Sequence, residues 1–220
     1  MMKYIQLGVA LLIVGLATAI QIDSANASSS YSTETTRQAY AVFQLQSGGL
    51  RTSAEINVEE SERTSSEGSE RGLHADIELN QIDTRGNHNR MISVAGSVDT
   101  RTGAFGLRDD VAGGTIDIII PVCGAKPNHN GRLKQGSSFN DCFDVQVSLE
   151  WTGTGDPYSF GGEDDYPAGS CTIHTTSGYQ YRRASATGTV LMGGTNLAAS
   201  NSVSSAISSY TGTTTATCLD

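Results

Sequence analysis

The sequence predicts an all-β protein, an antiparallel β-sandwich of about eight to ten strands braced by disulfides. Three observations predict it. Apolar residues recur at every second position in segment after segment, which places them on one face of a strand. Polar, glycine-broken joins separate these segments, and glycine accounts for 25 of the 220 residues. The four cysteines, Cys123, Cys142, Cys171 and Cys218, are even in number and contain no Cys-x-x-Cys pair, so the expectation is two structural bridges in an oxidising compartment.

The compartment is read from the first residues. MMKYIQLGVALLIVGLATAI carries one cation, Lys3, ahead of an uncharged apolar run, and Ala25-Asn26-Ala27 has the small-x-small shape of a signal peptidase site. Residues 1 to 27 are therefore expected to be a signal peptide. The competing reading is a retained anchor, since the run approaches the lower limit for spanning hydrocarbon, but Gln6 and Gly8 weaken its first part. With the segment cleaved, no stable membrane span is expected, and the protein is secreted or extracellular, at most associated with the cell surface.

The formal net charge is −9, only three lysines are present, and the arginines are scattered except for Arg182-Arg183. This acidic protein has no basic stripe, which excludes nucleic acid and anionic membrane as expected partners.

The elements follow in order. Residues 28 to 37, SSSYSTETTR, read as a flexible leader, and residues 38 to 220 as one β-sandwich domain. In QAYAVFQLQ, Ala39, Ala41, Phe43 and Leu45 share a face. In SAEINVEE, Ala54, Ile56 and Val58 alternate with Ser53, Glu55, Asn57 and Glu59. In LHADIELN, Leu73, Ala75, Ile77 and Leu79 oppose His74, Asp76, Glu78 and Asn80. The pattern returns at Ile92, Val94 and Val98, at Ile116, Ile118, Ile120 and Val122, and at Phe143, Val145, Val147, Leu149 and Trp151. CTIHTT and YQYRRASATGTVLM are weaker strands. The tail ends in a final strand or forms a short helical turn at residues 206 to 210. ESERTSSEGSERG, residues 60 to 72, reads as a charged surface connection. The preferred bridges are Cys123 to Cys142, closing a loop between strands, and Cys171 to Cys218, tying the tail to the core.

Chemistry concentrates after Trp151, in TGTGDPYSFGGEDDYPAG, which reads as a loop. Asp156, Glu163, Asp164 and Asp165 are candidate metal ligands, and calcium is the cofactor they would take, because it accepts several carboxylate and carbonyl oxygens. The EF-hand ladder is missing, however. Tyr158, Phe160 and Tyr166 bracket the same acids and are candidate ligand-binding residues, since aromatic faces beside hydrogen-bonding groups suit a glycan or protein ligand.

Catalytic signals are thinner. His174 is the one histidine to consider as a general base, Glu150 with Asp156 the nearest carboxylate pair, and neither G-x-S-x-G nor H-E-x-x-H occurs. His88 and His129 sit in asparagine-rich turns. The reading is a secreted or surface β-sandwich with a noncatalytic binding or structural role. Its rivals are a secreted hydrolase using carboxylate or histidine chemistry and an extracellular component that self-assembles through strand edges.

Overall fold

A computed structural model describes residues 30–85, 90–101, 104–128, 130–135 and 141–218. Among them there is no helix, and the strands run β1 (Ser30–Ser47), β2 (Leu50–Ser65), β3 (Gly68–Asp83), β4 (Arg90–Thr100), β5 (Ala104–Leu107), β6 (Gly113–Cys123), β7 (Ala125–Pro127), β8 (Leu133–Gln135), β9 (Cys142–Ala168), β10 (Cys171–Met192), β11 (Thr195–Asn196) and β12 (Ser204–Cys218). The expected all-β, antiparallel, sandwich-like class is what the chain adopts.

Pairing begins as a meander from β1 to β4 and passes through β6 and β9 to β10; β12 then inserts between β10 and β1. The path of hydrogen-bonded neighbours thus returns on itself. Its thinnest point is between β4 and β6, where Gly96 opposite Val122 is the one bridge. A Cβ on Gly96 would lie 2.0 Å from the Pro121 carbonyl oxygen, so only glycine permits this approach. The remaining strands are short: β5 and β11 extend β6 and β10, and β7 pairs β8 apart from the main sheet.

The alternation read from the sequence sets the core. Ala39, Ala41 and Phe43 of β1, Ala54, Ile56 and Val58 of β2, and Leu73, Ala75, Ile77 and Leu79 of β3 point inward. They meet Ile116, Ile120, Val145, Val147, Leu149 and Trp151 from β6 and β9. Trp151 is buried, and its indole N–H donates to the Tyr40 carbonyl oxygen at 3.0 Å, which satisfies its one polar group and ties β9 to β1 across the core.

At one end the inward face turns polar. Glu60 accepts from Arg37 and Arg71, and its second oxygen accepts the Leu107 backbone N–H at 3.0 Å. Arg37 also donates to Asp109 and Glu62. Burial lowers the Arg37 pKa, but its contacts with Asp109, Glu60 and Glu62 outweigh that and leave it raised. Burying charge this deeply requires such partners. The network closes the core under the turn at residues 108–112, where Val111 is buried with φ of 48°.

Both preferred bridges are present, Cys123–Cys142 joining directly opposed residues of β6 and β9, and Cys171–Cys218 joining opposed residues of β10 and β12. Three local expectations differ from what forms, and one open alternative is decided. From residue 30 onward the expected leader is the first half of β1, because β12 and β2 pair with it on both sides. Residues 60 to 72 are not a loose connection but the outer half of a hairpin between β2 and β3, turning at Ser66 and Glu67. The tail takes its strand alternative, paired with β1 and β10, and not the helical turn. The glycine-rich stretch after Trp151 is likewise strand: β9 continues to Ala168, turns at Gly169 and Ser170, and returns as β10. Cross-strand hydrogen bonds and aromatic residues with high strand propensity overcome the local cost of Gly161 and Gly162. The punctuation survives only as a break in register between Tyr181 and Arg183, where residues 155 to 157 of β9 stand against Arg182 alone.

Candidate functional site

Strand parity decides which side chains share a surface. In β9 beyond the bulge, Tyr158, Phe160, Asp164 and Tyr166 lie on the outer face, opposite Tyr181, Tyr179, Thr175 and Ile173 of β10. β12 adds Tyr210 opposite Tyr179, and β1 adds Thr36 opposite Tyr210. One row across the sheet therefore reads Phe160, Tyr179, Tyr210. Ring centroids are 4.9 Å apart for Phe160 and Tyr179 and 6.0 Å for Tyr158 and Phe160, with tilted planes, so three rings form a contiguous shelf. Tyr158 is 63% and Phe160 52% exposed, an unusual outlay of aromatic surface in a chain with few bulky residues.

Tyr158 and Phe160 are thus brought together as expected, with Tyr179 completing the shelf. Tyr166 is on the same face but farther along the hairpin, beside a small buried cluster of Cys171, Ile173 and Ala216.

The same parity separates the four acids. Glu163 and Asp165 point to the opposite face from Asp164, and Asp156 sits in the bulge. Asp165 is engaged by His174, whose Nδ1 lies 2.6 Å from Oδ1. The described residues contain no group of three or more His, Cys, Asp or Glu side chains placed to hold a metal ion. Glu150 lies before the bulge, opposite Thr187 of β10, and Asp156 lies within it, so the bulge stands between the two carboxylates. His174 with Asp165 is an exposed pair on an open sheet face. His88 and His129 fall outside the described residues.

Next to the shelf the outer face carries a shallow groove of about 470 Å³. Its floor is β12, which offers only Ala206 and Ser208 there, flanked by Tyr40 of β1 and Tyr181 of β10. Burial pushes the Tyr181 phenol pKa up, Tyr40 and Tyr179 add to that, and Arg183 opposes it. Its far wall is polar. Gln38, Glu59, His74 and Asp99 are opposed in one row across β1 to β4, and Tyr40, Asn57 and Asp76 in the next. Gln38 donates to Glu59 at 2.8 Å, Asn57 donates to Asp76 at 3.0 Å, and His74 Nδ1 lies 2.7 Å from Asp99 Oδ1. Tyr40 is fixed through its hydroxyl, 2.9 Å from Ser204 Oγ.

Sequence reasoning missed this groove. Asn57, Glu59, His74 and Asp76 were legible as the outward sides of their strands, but which of them stand in one row depends on register. No family model, curated protein or solved structure matches this chain.

Proposed function

We propose that the protein is exported and is a noncatalytic binding protein whose outer aromatic face receives a glycan. The observation that carries this reading is the exposed shelf of Tyr158, Phe160 and Tyr179, continuous with a groove walled by Tyr40 and Tyr181. Sugar rings present apolar C–H faces that pack on such rings and hydroxyls that need hydrogen-bond partners, and the adjoining amides and carboxylates supply these. Export is supported by the apolar amino-terminal segment and by two bridges suited to an oxidising compartment.

The experiment is retention of the oxidised protein, residues 28 to 220, on a panel of immobilised polysaccharides, beside a Phe160→Ala/Tyr179→Ala variant. Both side chains are solvent-facing, so the variant keeps its fold. Specific retention by the parent and its loss in the variant support the reading. Retention of both alike, or of neither on every polysaccharide, overturns it.

A further inference from the structure

The groove has an electrostatic character that the shelf alone does not. Several acids elsewhere in the chain are matched by arginine: Glu60 with Arg37 and Arg71, Asp83 with Arg85 and Arg132, Asp110 with Arg108. The groove acids Glu59 and Asp76 are held instead by the neutral amides of Gln38 and Asn57, and neither forms an ion pair among the described residues. His74, opposite Glu59, is already engaged by the Asp99 carboxylate. An amide satisfies one lone pair of a carboxylate and leaves its charge uncompensated. Beside these charges stands Tyr40, in one row with Asn57 and Asp76 and diagonal to Glu59, and the face of a phenol ring attracts cations.

We infer that the groove takes a glycan whose sugar rings carry protonated amines, the rings packing along the aromatic shelf and an ammonium group entering between Tyr40, Glu59 and Asp76. This rests on the glycan-binding reading above and specifies its ligand class. An ammonium offers three donors, which two carboxylates and a ring face accept. The same groove disfavours sulfated or uronic acid chains, since their charge would meet Glu59 and Asp76 in a molecule of net charge −9.

The test is calorimetric titration of the oxidised protein with a soluble oligomer of β-linked glucosamine and with its fully N-acetylated counterpart, at a pH where the amines are protonated. The glucosamine oligomer is expected to bind about tenfold more tightly or better, and Glu59→Gln/Asp76→Asn to remove that preference. A charge control, Asp117→Asn/Asp144→Asn, neutralises two exposed acids on β6 and β9 and should leave affinity within about twofold. Equal binding of both oligomers overturns the amine inference and leaves the glycan reading standing. An equal loss in both double variants overturns it too, by showing diffuse attraction to an acidic surface. No binding of either oligomer also overturns it, and the polysaccharide panel then decides the broader reading separately.

Discussion

Glu60 Oε1 lies 3.1 Å from Arg37 Nη1, and the Glu60 side chain is 1% exposed. A carboxylate on the inward face of β2 thus continues the same row as Ala54, Ile56 and Val58, and it is tolerated because Arg37, Arg71 and the Leu107 N–H satisfy it. Removing one member leaves the others as uncompensated charge in a closed site. Glu60→Ala is expected to cost about 3 kcal/mol or more, measured by urea unfolding, whereas Glu62→Ala, on the half-exposed side of the network, should cost about 1 kcal/mol or less.

The bridges should contribute unequally. Cys123–Cys142 closes a separation of 19 residues and Cys171–Cys218 one of 47, so chain entropy assigns about 3 and about 4 kcal/mol respectively. Cys171→Ser/Cys218→Ser should therefore lower the melting temperature more than Cys123→Ser/Cys142→Ser. Equal melting temperatures in the presence and absence of reductant would contradict both values.

Acid should loosen the turn-side end of β3. The hydrogen bond from Arg85 holds the Asp83 carboxyl well below the usual carboxylate range; its backbone N–H and the charges of Arg85 and Arg132 add to this, and desolvation opposes it. A group whose folded pKa is depressed contributes stability that is present above its unfolded pKa and lost as pH falls through the folded value. The expected result is a melting temperature that declines from the ordinary carboxylate range downward, with a shallower decline in Asp83→Asn.

The uncovered part of β9 should not drive assembly. Beyond Thr152 this strand pairs only with β10, which leaves a long free edge. Pro157, Pro167, the bulge before Tyr158 and the run Glu163-Asp164-Asp165 interrupt that edge with missing donors, a local twist and repelling charge. The protein is expected to elute as a monomer at high concentration. Replacing Glu163, Asp164 and Asp165 with threonine should induce association, detectable by light scattering.

The elements legible in the sequence were those with a buried face. β2, β3, β6 and the first half of β9 alternate cleanly because one side meets the core, and periodicity reports that contact directly. The outer half of β9 faces solvent on both sides, so Gly161, Gly162 and the acids gave a loop signal although the pairing is continuous. Tyr158 and Phe160 were identified by residue type alone, and their partner Tyr179 lies in a segment read only as a weaker strand. The groove needed something that no single segment holds. Gln38, Glu59 and His74 come from three strands and become neighbours only once β1, β2 and β3 are aligned.

The central claim is that the outer aromatic face is the ligand surface, and tyrosine ring NMR tests it most directly. With ring-labelled tyrosine, titration with the glucosamine oligomer should shift Tyr158, Tyr179, Tyr181 and Tyr40, while Tyr31, on the opposite face of β1, stays fixed. Saturating binding with no shift at the shelf or groove tyrosines, or with Tyr31 alone perturbed, would contradict the account.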